Sequence, residues 1–130
     1  MQKAKGLCKD LGIEDVVIWH KEMKFKNLLK IYEKADICFD QVGNHWIGAI
    51  GCYALWLGKP LIANDGRAVR SGIWPEDNPV LSANSINSIN SQLERLVVQS
   101  CREDVSRRSQ EFADRYLGPE RLISRLFKTH

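Results

Sequence analysis

What this 130-residue sequence lacks narrows its function before any motif is read. It has no run of apolar residues long enough to cross a bilayer: the longest, Trp46 to Leu57, is interrupted by Gly48 and Gly51. Met1 to Asp10 carry three lysines but no apolar core, so no signal peptide is expected there. Charge of one sign is not in excess, since 19 basic against 16 acidic residues leave a formal net charge of +3. That balance points away from nucleic acid as a partner. The four cysteines, Cys8, Cys38, Cys52 and Cys101, form no Cys-x-x-Cys pair, and His20, His45 and His130 stand at no zinc-ligand spacing. No metal site and no disulfide framework is expected, and a reducing, cytoplasmic setting fits. Four prolines and nine glycines exclude a collagen-like or low-complexity chain.

What is present is the composition of one globular domain, 44% hydrophobic and 27% charged, spanning residues 1–130. Residues 2–11 read as a helix that stops at Gly12. Val16-Val17-Ile18-Trp19 is a β-branched run and reads as a strand. Phe25, Leu28, Leu29 and Tyr32 recur at helical spacing. The lysines on the other side of that helix, from Lys21 to Lys34, read as a solvated face or as a patch for an anionic partner. Asp36 to Asp40 is a second strand. Residues from about His45 to Leu57 are a largely buried helix closed by Gly58, and Pro60 to Ala63 a third strand. Pro79-Val80-Leu81 offers a short fourth. Ser85 can cap a helix with Ile86, Ile89, Leu93, Leu96 and Val97 on one face. A further helix turns Val105, Phe112 and Tyr116 inward and breaks at Gly118-Pro119. A last short one shows Leu122, Ile123, Leu126 and Phe127. Strands alternating with helices predict an α/β fold, a parallel sheet of three to four strands with helices on both faces.

In an open parallel sheet, ligands bind beyond the carboxyl ends of the strands. Three loops are placed there: one including His20, one from Asp40 to Gly48, and one from Asn64 to Arg67. The second is the best candidate. It is polar, carries Gly43 and Gly48, and leads into the buried helix with Asn44 as a suitable N-cap. Backbone N–H groups at that helix start form a seat for a phosphate or diphosphate; a plain strand-to-helix turn reads equally from the motif. It is not a P-loop, because Ala49-Ile50 follow Gly48. His20 and His45 could each serve as acid, base or donor. Asp40 and Asp65 read as turn-formers. No Ser-His-Asp set or carboxylate pair marks a catalytic residue. Trp19, Trp46 and Trp56 are expected in the core or at its edge, with Trp46 also able to flank a base or sugar.

Three segments in order carry a resemblance. They are Ala35-Asp36-Ile37-Cys38-Phe39-Asp40-Gln41, then His45-Trp46-Ile47-Gly48, then Ala54-Leu55-Trp56-Leu57-Gly58-Lys59-Pro60-Leu61-Ile62. With Leu11 to Trp19 and Leu28 to Asp36 before them, they resemble the C-terminal, donor-binding domain of group 1 glycosyltransferases over about residues 4 to 100. These are retaining enzymes of the GT-B fold that use nucleotide-sugar donors. The resemblance implies a Rossmann-like fold and a donor site at Gly43, Asn44, His45, Trp46, Ile47, Gly48 and Tyr53. It implies no metal or other cofactor; the nucleotide sugar is the substrate.

Two departures go with it. The family's Glu-x7-Glu pair falls on His45 and Tyr53, so both glutamates are absent. Imidazole can donate to a phosphate, and a phenol can bond to or stack on a nucleoside. In the family, two further strand–helix units and a separate N-terminal domain with the acceptor site precede this stretch. The two units lie, in space, between the Val16 and Asp36 strands. Unpaired sheet edges are therefore expected, with a homo-oligomer or a rearranged first strand as the result. An isolated chain of this kind is expected to be inactive, part of glycan or polysaccharide assembly in the cytoplasm or at the inner membrane face. Alternatives are a non-catalytic nucleotide- or partner-binding α/β module and, from Asp40 and Lys59, a receiver-like domain, whose paired acids are lacking.

Overall fold

The computed structural model describes residues 2–43 and 46–118. It is a mixed α/β fold around a three-stranded parallel sheet. In chain order the elements are α1 (Gln2–Asp10), α2 (Phe25–Lys34), β1 (Cys38–Phe39), α3 (Ala49–Trp56), β2 (Leu61–Ala63), α4 (Gly66–Arg70), β3 (Leu81–Ser82), α5 (Ile86–Leu96) and α6 (Gln99–Phe112). A wide helical turn, Ala113–Leu117, follows α6. The strand order is β1-β2-β3, with Cys38 beside Leu61 and Ile62 beside Leu81.

The central strand explains the layering. Side chains alternate across a strand, so Leu61 and Ala63 face one way and Ile62 the other, and all three are fully buried. On the first face they meet Ala54 and Leu55 of α3, with Trp74, Phe112 and Ala113. On the second, Ile62 meets Leu81, Ala83, Leu96 and Val105, joined by Ile89 and Leu93 of α5. Burial on both faces is why Pro60 to Ala63 is an unbroken apolar run.

Local signals set several boundaries. Gly12 and Gly58 take φ of +68° and +70° after α1 and α3, a conformation that suits glycine. Ser85 caps α5 by accepting from the Ser88 N–H at 3.1 Å, and the Ser88 hydroxyl accepts from the Ser85 N–H at 3.0 Å. Ile86 and Val97 are corrections to the expected inward face of α5. They are each 77% exposed, because the buried stripe runs Ile89, Leu93, Leu96.

The larger correction concerns Val16 to Trp19, which is not a strand. Glu14–Val16 form a single 3-10 turn, and the residues after it join no sheet. Val16 and Ile18 are 79% and 78% exposed. The side chains are strand-formers, but a strand needs an edge to pair with, and among the described residues β1 pairs only with β2. Helix α1 buries none of its residues and packs on the 3-10 turn, with Lys5 over the Trp19 ring at 5.6 Å. The expected last helix, with Leu122, Ile123, Leu126 and Phe127, lies outside the described residues, as do Asn44 and His45.

Candidate functional site

The loops after β1 and β2 meet at the carboxyl end of the sheet. Backbone bonds prolong the pairing beyond the strands: the Asp40 N–H donates to the Ile62 carbonyl at 3.1 Å and the Asn64 N–H to the Gln41 carbonyl at 2.9 Å. Asn64 then ties the loops together. Its Nδ2 donates to the Gly43 carbonyl at 3.1 Å, and its Oδ1 accepts from the Gly66 N–H at 3.0 Å. The second bond is an Asx turn, a local preference of asparagine two residues before such an N–H. Below it, Asp65 and Asn78 are both buried. Asn78 Nδ2 donates to Asp65 Oδ2 and to the Pro75 carbonyl, each at 2.8 Å, while Asn78 Oδ1 accepts from the Val80 N–H at 2.9 Å. This amide links the loop after β2 to the start of β3.

Helix α3 begins at Ala49, with Gly48 rather than Asn44 at its cap position. The cap is supplied from across the loop. The Gly48 N–H donates to Asp40 Oδ2 at 2.7 Å, a short charge-assisted bond. A carboxylate thus sits at the positive end of the helix dipole, where the sequence placed a phosphate. Space around it is tight: a Cβ on Gly51 would stand 2.6 Å from Ile47 Cγ2 and 2.7 Å from Asp40 Oδ2. In the sequence Asp40 reads as a turn-former or, with Lys59, as a receiver-like acid, and not as a helix cap. The signal that could have marked it is an acid just after a strand facing the glycines at 48 and 51.

The charge of Asp40 is felt by its neighbours. Burial first, then the charges of Cys38 and Asp40, raise the Tyr32 phenol above its ordinary pKa. Burial and Asp40 raise the Cys52 thiol. Burial raises Cys38, partly offset by Lys59. These thiols stay protonated and behave as small packing groups rather than nucleophiles.

The expected site residues separate. Gly43, Ile47 and Gly48 gather around the crevice. Trp46, on the same loop, is 45% exposed. Tyr53 is turned to the opposite flank of α3, edge-on to Phe25 with ring centroids 4.8 Å apart. His20 is exposed. Trp19 and Trp56 are 40% and 50% exposed, at the edge of the core at most, whereas Trp74 is buried against Phe112. Two cations follow the loop after β2 on α4: Arg67, already placed in the third loop, and Arg70, which no sequence motif singled out. Arg67 and Arg70 on α4 are exposed, make no ion pair among the described residues, and Arg70 lies against Gly66.

Among the described residues no group of three or more His, Cys, Asp or Glu could hold a metal ion, and no helix is long and apolar enough to cross a membrane. The arrangement offers peptide N–H donors, an internal carboxylate and two exposed guanidiniums, groups whose chemistry suits contact with an anion. No known protein family, curated protein or solved structure matches the chain.

Proposed function

We propose that this chain is the donor-side, Rossmann-like portion of a retaining, nucleotide-sugar-dependent glycosyltransferase of glycan or polysaccharide assembly, unable to transfer sugar by itself. One observation carries the reading beyond the ordered sequence resemblance. Val16 to Trp19 is a strand-forming run left unpaired, and β1 is an edge. The two strands that the resemblance places between them would satisfy both. Segments outside this sequence would fill those positions, and the acceptor would be held by a second domain. Without them, the edge of β1 is open to pairing with a second copy. The setting that goes with this reading is the cytoplasm or the inner membrane face.

In this reading the diphosphate of the donor lies beyond Gly43 to Gly48. The N–H groups of the first turn of α3 and the Arg67 and Arg70 guanidiniums offset its charge, and the leaving diphosphate needs such preorganised donors as its charge grows. Asp40 weakens the site by placing a like charge on the Gly48 N–H.

That same bond favours a second reading, a non-catalytic α/β module that binds a partner through this end of the sheet. The helix end is already capped from within, and Tyr53 faces Phe25 instead of the loop. Titration of the 15N-labelled chain with uridine, guanosine and adenosine diphosphates separates the two. Saturable shifts of the Gly43, Gly48 and Ala49 amides support a donor site. A folded chain whose amides do not move at millimolar ligand supports the non-catalytic module.

A further inference from the structure

The flank between α2 and α3 holds a feature that the donor crevice does not use. Phe25, Leu29, Tyr53, Trp56 and Leu57 line an open, largely apolar groove of about 420 Å³, with Asp114 as its one acidic lining residue among the described residues. Phe25 and Trp56 are each 50% exposed. Asp114 is exposed and makes no ion pair among the described residues. Aromatic rings half open to water beside one carboxylate fit an apolar surface that carries a cation.

A segment of that character is joined to the groove. Gly118, the last described residue, lies one turn beyond Asp114, where an added Cβ would stand 3.2 Å from the Asp114 carbonyl, so the described chain stops close to the groove's acidic residue. Their sequence places Leu122, Ile123, Leu126 and Phe127 on one face at helical spacing, flanked by Arg121, Arg125 and Lys128. Leu122 is four positions beyond Gly118, a reach of about 13 Å when extended, enough to turn back onto α2 and α3. We propose that residues 119–130 dock in this groove, with Leu122, Ile123, Leu126 and Phe127 covering Phe25, Tyr53 and Trp56, and Arg121 or Arg125 paired with Asp114. The occupant is the chain's own C-terminal segment.

The test is the indole N–H resonance of Trp56 in the 15N-labelled full chain, assigned with Trp56→Phe. In the double variant Leu126→Glu/Phe127→Glu, the Trp56 indole and the Leu29, Tyr53 and Asp114 amides shift. The indole of Trp74, buried in the core, stays in place and reports an intact fold. Asp114→Arg moves the same set in the same direction. A Trp56 indole that stays fixed in both variants overturns the proposal. So does a wild-type position that moves toward that of the double variant on dilution, which would make a second copy the occupant.

Discussion

Gly51→Ala is the substitution in which local propensity and the observed packing predict opposite signs. Alanine is better than glycine in a helix interior by about 1 kcal/mol, and Gly51 sits in the first turn of α3 with no need for positive φ. Propensity alone therefore predicts stabilisation. The structure predicts the reverse, because the added methyl would stand 2.6 Å from Ile47 Cγ2, 2.7 Å from Asp40 Oδ2 and 3.3 Å from Leu61 Cδ2. Leu61 is fully buried and cannot retreat. Overpacking of this kind costs about 1–3 kcal/mol. Moving Asp40 off the Gly48 N–H forfeits about 1.5 kcal/mol or more of a charge-assisted bond.

After the propensity gain, the net loss is about 2 kcal/mol, roughly 6–10 °C in Tm for a chain of this length. Urea and thermal unfolding followed by circular dichroism measure it. The companion variant is Asp40→Ala. With the carboxylate gone, Gly51→Ala meets only Ile47 and Leu61, so its cost falls, with a coupling of about 1 kcal/mol in the double-mutant cycle. A Gly51→Ala protein more stable than wild type would refute the reasoning, as would strict additivity with Asp40→Ala.

Other substitutions test other parts of the account. Asn78→Ala leaves the buried Asp65 carboxylate without its amide donor and the Val80 N–H without its acceptor, and is expected to cost about 3 kcal/mol in urea unfolding. Ser109 is fully buried and its hydroxyl has no hydrogen-bond partner among the described residues, so Ser109→Ala should stabilise by about 1 kcal/mol. Tyr32, Cys38 and Cys52 all have raised pKa values in the fold. Their contribution to stability is complete at neutral pH, where both states are protonated, and is lost as pH rises above about 8.5, where the unfolded groups ionise first. Urea midpoints should therefore be flat around neutrality and fall in alkali. Mass spectrometry of iodoacetamide adducts at pH 8 should find Cys38 and Cys52 alkylated more slowly in the folded chain than in urea.

Apart from the short helix α4, which falls where a loop was expected, the order of elements after residue 24 was legible because each one carries its own local signal. Gly58 ends α3, Ser85 starts α5, and the apolar run at Leu61 to Ala63 is the strand buried on both faces. Val16 to Trp19 shows where such signals stop. Their β-branched character is local, but a strand is a pairing, and the pairing partner is not encoded nearby. The helix start after β1 failed for the related reason that its cap, Asp40, acts across an eight-residue gap. The resemblance placed Tyr53 in the donor site by counting along the chain. In the fold Tyr53 lies on the flank of α3 that faces Phe25. The loop itself, its glycines and its place at the carboxyl end of the sheet were readable. The internal carboxylate and Arg70 became visible only with β1, α3 and α4 in place.

The central claim, that this crevice is a nucleotide-sugar donor site, is tested most directly by nucleoside diphosphate affinity in the wild type and in Asp40→Asn. The substitution keeps an acceptor near the Gly48 N–H while removing a charge that, in the proposed pose, would face the phosphates; in water, a like charge about 4 Å away is worth roughly fivefold in affinity. The account predicts saturable shifts of the Gly43, Gly48 and Ala49 amides in both proteins, with tighter binding in Asp40→Asn. Two folded proteins whose amides remain unmoved at millimolar nucleoside diphosphate would contradict it.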